Sequence, residues 1–100
     1  MQKIIVADDE ELIVRLVGDY LRTEGYEPLP AYDGEEALEV FAKNPDAALM
    51  ILDIMMPKLD GWAVCRRIRE SSDIPIIMLT ARSQEFDELT GFDAGADDYV

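Results

Sequence analysis

The chain is 100 residues long, enough for one compact domain and too short for two. Twenty-two Asp and Glu stand against nine Lys and Arg, a net charge of −13. That balance disfavours direct binding to nucleic acid or to an anionic membrane surface, since both need Lys and Arg to neutralise phosphate. With no histidine and only Cys65, the sequence excludes imidazole-ligated zinc, Ser-His-Asp and Cys-His catalysis and an internal disulfide. No apolar run reaches the length of a membrane span, and the N-terminus lacks the apolar core of a signal peptide, so the expected location is the cytoplasm.

Lys3 to Ala7 is an apolar run too short for a helix and is expected to be a strand buried on both faces. From Glu11 to Glu24, Leu12, Ile13, Leu16, Val17, Tyr20 and Leu21 recur as pairs every four residues, which predicts a helix with one apolar stripe, closed by Gly25. Glu27 to Ala31 reads as a strand, and Pro28 and Pro30, which cannot donate to a ladder, place it at a sheet edge. Asp33-Gly34 opens a helix running to about Asn44, with Ala37, Leu38, Phe41 and Ala42 inward and Pro45 ending it.

Ala47 to Leu52 predicts a second buried strand, stopped by Asp53. Asp60 is a candidate N-cap for a helix through Glu70 that turns Val64, Cys65 and Ile68 inward. Trp62 is expected to be largely exposed, and Arg66, Arg67 and Arg69 to form a solvated face. Pro75 to Thr80 predicts a fourth strand, about Ser83 to Ala94 a helix capped by Gly95, and Asp98 to Val100 the opening of a fifth strand. Strands alternating with helices of this length imply βαβ units: an α/β, doubly wound parallel sheet with right-handed crossovers, one domain over residues 1–100.

In such a sheet, sites form outside the carboxyl ends of the strands. Asp8-Asp9-Glu10, Asp53 and Thr80 occupy those ends. Carboxylates placed together repel one another and burial raises their pKa values. A hard divalent cation such as Mg²⁺, which takes oxygen ligands, removes the conflict.

These segments also carry a resemblance. Ile4 to Glu10, Leu52 to Pro57 followed by Asp60-Gly61, Pro75 to Ala81 and Gly95 to Val100 together resemble the receiver domain of bacterial two-component response regulators. The CheY-like fold is meant, of the kind that controls winged-helix transcription factors. The resemblance implies the strand order 2-1-3-4-5. It implies Asp53 as phosphoacceptor, Mg²⁺ held by Asp8, Asp9, Asp53 and the Met55 backbone carbonyl, and Thr80 and Tyr99 as switch residues. It also implies a sensor histidine kinase as phosphodonor and no enzymatic activity beyond self-phosphorylation and autodephosphorylation. A carboxylate needs no general base for the first of these steps, because it is ionised at neutral pH.

The family pattern continues past Val100 with a Lys-Pro pair in the fifth strand and a final helix. The chain is therefore expected to behave as a truncated receiver, lacking that helix and most of the fifth strand. Loss of the lysine is expected to impair phosphorylation. A helix burying about four apolar side chains is worth about 6–12 kcal/mol, so a homo-oligomer covering the vacant face is also expected. The alternative reading is a folding and assembly unit without signalling activity. A haloacid-dehalogenase-type phosphatase fails because Met55 stands where its second Asp is needed, and an FMN carrier fails because Asp8-Asp9-Glu10-Glu11 repel a phosphate.

Overall fold

A computed structural model of the chain describes residues 1–79 and, as backbone, Asp98 and Tyr99. The elements are β1 (Lys3–Ala7), α1 (Glu11–Thr23), β2 (Glu27–Ala31), α2 (Gly34–Lys43), β3 (Leu49–Asp53), α3 (Gly61–Arg69), β4 (Ile76–Leu79) and β5 (Asp98–Tyr99). All strand pairs are parallel, and the order is β2-β1-β3-β4-β5. This is the doubly wound sheet expected. The helix expected over Ser83 to Ala94, Thr80 and the side chain of Tyr99 lie outside the described residues.

Alternation along β1 divides the core. Ile5 and Ala7 face the side covered by α2 and α3, where they pack with Ala37, Leu52, Met50, Val64, Cys65, Ile68, Ile76 and Met78. Ile4 and Val6 face the other side and meet Val14 and Leu21 of α1, with Leu49, Ile51 and Val17 half-buried around them. A parallel strand needs apolar residues on both faces, which is why β1 reads as a continuous run with no polar alternation. Among the described residues no helix is long and apolar enough to cross a membrane.

Several boundaries shift. Asp53 is the last residue of β3, and Ala47 and Ala48 precede that strand. The C-cap of α1 is Glu24, and Gly25 follows it at φ 88°, the left-handed turn that a glycine adopts without strain.

The apolar stripe of α1 needs a larger correction. Its buried residues are Val14, Gly18 and Leu21, whereas Leu12 (59% exposed), Leu16 (58%) and Tyr20 (66%) face outward. The helix leans toward β2, where a Cβ at Gly18 would stand 3.6 Å from the Pro28 side chain, so the buried arc is rotated away from the centre of the apolar one.

Trp62 is also corrected: it is half-buried and packs on the larger cluster. Ala42 is exposed rather than inward. Arg66 and Arg67 are solvated as expected, but Arg69 is half-buried and donates to the carbonyls of Ile74 (2.7 Å) and Ser72 (3.3 Å).

Among the described residues, both helices on the larger face start on an aspartate. Asp33 accepts from the Glu36 N–H at 2.7 Å, and the Glu36 carboxylate accepts in return from the Tyr32 N–H at 3.0 Å. Asp60 accepts from the Ala63 N–H at 2.9 Å. Asp60→Ala is expected to cost about 1 kcal/mol through the lost cap. Urea unfolding checks this, with an unchanged midpoint counting against the cap.

Candidate metal centre and phosphoacceptor site

Three carboxylates meet at the carboxyl end of the sheet because β1 and β3 are adjacent and in register there. Ala7 pairs with Leu52, so Asp8 and Asp53, one residue beyond each, emerge side by side. Backbone bonds hold both ends: the Asp8 N–H donates to the Ala31 carbonyl (3.1 Å) and the Ile54 N–H to the Leu79 carbonyl (3.3 Å). One oxygen each from Asp8, Asp9 and Asp53 lies within 4.8 Å of the others. Asp8 is buried, Asp53 half-buried and Asp9 exposed, so the group opens to solvent on one side.

The electrostatics are those of crowded acids. Burial is the largest cause that pushes the Asp53 carboxyl up to about 6; the Asp8 charge adds to it, and backbone N–H groups of Met55 and Ile54 oppose it. Burial also raises Asp8 above the ordinary carboxylate range. The Glu10 N–H, donating to Asp8 Oδ1 at 3.0 Å, works against that rise, and neighbouring Asp9 adds to it. The Asp53 carboxyl is expected to titrate near pH 6 by carbon-13 NMR in metal-free buffer. A midpoint near the ordinary 3.8 would show that its burial and its acidic neighbours have little effect.

The donor set fits a hard divalent cation. It offers only carboxylate oxygens, it is open on one side for water, and it places adjacent charges that a cation would relieve. Asp8, Asp9 and Asp53 are thus brought together as the sequence implied. Met55, whose carbonyl was expected as a further ligand, lies two residues beyond Asp53 with its side chain exposed.

The same geometry gives Gly61 and Lys58 packing roles that the sequence did not assign to them. Gly61 lies directly against the end of β3: its N–H donates to the Ile54 carbonyl at 2.9 Å, and a Cβ there would stand 2.5 Å from the Asp53 carbonyl oxygen. Lys58 adopts a positive φ of 70° and pairs with Asp33 at 3.5 Å and Glu35 at 3.8 Å. That Lys58 pairing, together with the backbone N–H of Glu36, holds the Asp33 carboxyl below the usual range, the N–H being the larger cause. The sequence signals only the Asp-Gly dipeptides that open α2 and α3.

Residues 4–100 match the response regulator receiver domain family. The chain belongs to that family. It is similar to the curated protein "Probable transcriptional regulator ycf27" of Porphyridium aerugineum, 52% identical over 99 residues, and to that of Cyanophora paradoxa, 53% identical over 100. Each match covers 99% of this chain and 41% of the relative, so the chain spans about two fifths of the length of these relatives.

Among solved structures, the receiver domain of the Francisella response regulator 1452 superposes with a TM-score of 0.91 at 30% identity, covering 100% of this chain and 83% of that one. The BeF3-activated receiver domain of Klebsiella pneumoniae RstA does so at 0.94 and 30%, covering 99% and 84%. The receiver domain described here thus carries its three clustered aspartates at the rim of a CheY-like sheet.

Proposed function

We propose that this receiver accepts a phosphoryl group on Asp53 in a Mg²⁺-dependent reaction and that the parent protein takes it from the phosphohistidine of a sensor kinase. The observation that carries this reading is the convergence of the Asp8, Asp9 and Asp53 carboxylates at adjacent strand ends. In the transfer an Asp53 oxygen forms a bond to phosphorus as the bond from phosphorus to the donor breaks, and the donor leaves with the electron pair of that bond. Asp8, Asp9 and Asp53, with the Met55 carbonyl, would hold Mg²⁺, which offsets charge on the phosphoryl oxygens.

The chain's own part is placement. Strand ends fix the three carboxylates before any ligand arrives, and positioning supplies much of the rate in phosphoryl transfer. Thr80 and Tyr99 are proposed to respond to the phosphoryl group. No enzymatic activity is proposed beyond self-phosphorylation and autodephosphorylation.

Incubation with acetyl phosphate and Mg²⁺, followed by intact and peptide mass spectrometry, tests this. The expected result is one added phosphoryl group on the peptide containing Asp53, abolished by EDTA. No adduct with acetyl phosphate or with beryllofluoride overturns it.

A second reading, a self-associating unit, is favoured by one observation. Leu12, Leu16 and Tyr20 form an exposed apolar row along α1, the kind of surface that associates. We propose that a second copy covers this row. A sedimentation mass of two chains at micromolar concentration, reduced to one by Leu16→Glu, is expected; a single-chain mass overturns it.

A further inference from the structure

The loop between β3 and α3 is packed from two sides at distances that leave no room for a side chain. At its start, Gly61 lies under Asp53 and Ile54, where a Cβ would meet the Asp53 carbonyl oxygen at 2.5 Å and the Ile54 Cα at 3.0 Å. At its end, Gly34, the first residue of α2, lies against Leu59: a Cβ there would stand 2.5 Å from Leu59 Cβ and closer still to the Leu59 carbonyl oxygen. Backbone, not a flexible side chain, is the obstacle in both places, so neither contact relaxes unless the loop moves.

Between these contacts Lys58 turns the chain through φ 70°, and the Leu59 N–H donates to the Pro57 carbonyl at 2.8 Å. The Lys58 ammonium reaches Asp33 and Glu35 on the same α2 corner. That corner is itself fixed, because Asp33 caps α2 and Glu36 bonds back to Tyr32.

We propose that the Asp33–Gly34 corner is a positioning device for the acceptor loop. It touches neither phosphoryl group nor metal, yet its close approach to Leu59 sets where residues 54–60, including the Met55 carbonyl, stand relative to Asp53. The inference rests on the metal reading above. Mg²⁺ demands near-ideal octahedral geometry, so a displaced loop loses affinity even when every ligand is still present. Gly34 supplies the space, and the positive φ at Lys58 supplies the turn. Lys58 is 60% exposed and its pairs are long, at 3.5 Å to the mostly covered Asp33 and 3.8 Å to the exposed Glu35, so they contribute little beside the backbone contact.

The test is calorimetric titration of the chain with MgCl₂, paired with urea unfolding in metal-free buffer. The variants are Gly34→Ala, Lys58→Val and Lys58→Gly. Gly34→Ala inserts the forbidden Cβ, and Lys58→Val opposes the positive φ with a β-branched side chain. Lys58→Gly removes the charge and keeps the turn. Gly34→Ala and Lys58→Val are expected to weaken Mg²⁺ binding about tenfold in protein that urea shows to be folded, while Lys58→Gly stays within about twofold of the parent. A merely structural role would lower the urea midpoint and leave the affinity of the folded chain alone.

Parent-like affinity in folded Gly34→Ala and Lys58→Val overturns the proposal, as does a loss in Lys58→Gly equal to that in Lys58→Val. Should Gly34→Ala not fold, the two Lys58 variants decide. A parent chain that takes up no Mg²⁺ overturns the metal reading and this one with it, a result distinct from unaffected variants in a chain that binds.

Discussion

Asp53→Asn is expected to be more stable than the parent in metal-free buffer at pH 7.5 and to take no phosphoryl group from acetyl phosphate. The second effect follows from loss of the carboxylate nucleophile, the first from the surroundings of that carboxylate. Burial and the adjacent Asp8 push the Asp53 carboxyl up to about 6, against 3.8 for an ordinary aspartate. Between those values the folded chain binds a proton that the unfolded chain has released, so its stability falls as pH rises through that window. Above pH 6 the carboxylate is charged in both states and the folded state carries the full penalty.

A neutral amide of similar shape removes that penalty. The gain is about 1–2 kcal/mol once the shift is discounted for the solvent that still reaches the group. The difference between parent and variant should therefore widen from pH 4 to pH 7 and then level off. Saturating Mg²⁺ should reverse the order, because binding to the folded state stabilises the parent in proportion to the logarithm of ligand concentration over Kd. The variant has lost one of its three carboxylates and gains less. Urea midpoints at several pH values, with and without Mg²⁺, check all of this. A variant less stable than the parent at pH 7.5 without metal would show that Asp53 is stabilised rather than strained.

Leu52→Ala is expected to cost about 2–5 kcal/mol, a large share of the 5–15 kcal/mol that a domain of this size possesses. Leu52 is fully buried among residues of α2, α3 and β4, and it stands one residue before Asp53. The cavity it leaves cannot close without moving the strand that carries Asp53. Leu16→Ala, on the exposed side of α1, is expected to change the stability of the dilute monomer by less than about 0.5 kcal/mol. Denaturant unfolding of the two variants at low concentration makes the comparison. Equal losses would mean that α1 is seated differently from the arrangement described here.

That contrast marks where local pattern stops being informative. Leu16 and Leu52 both sit in strongly apolar stretches, and the difference between them comes from the way α1 leans over β2. Helical periodicity identifies an apolar arc, but the part of the arc that meets the sheet depends on the neighbours beneath it. The same holds for Trp62, whose packing against the larger cluster depends on the other elements that gather there. It holds again for the Arg69 side chain, which finds carbonyls at Ser72 and Ile74.

The acidic site was legible for a different reason. A strand buried on both faces must end where the first charged residue can reach water, so Asp8 and Asp53 had to lie at strand ends once β1 and β3 were recognised. Parallel connections put those ends on the same rim. Chain-local chemistry therefore dictated the α/β alternation, the edge position of the proline-bearing β2, the aspartate caps of α2 and α3, and the clustering of the three carboxylates.

What required the folded molecule was the spacing of elements distant in the chain: the tilt of α1, the size of the rise in the Asp53 pKa, which comes first from burial and then from Asp8, and the close approach of Gly34 to Leu59. These depend on distances across the sheet and between helices. Distances of that kind are set by how all the side chains pack at once, and no window of neighbouring residues contains that information.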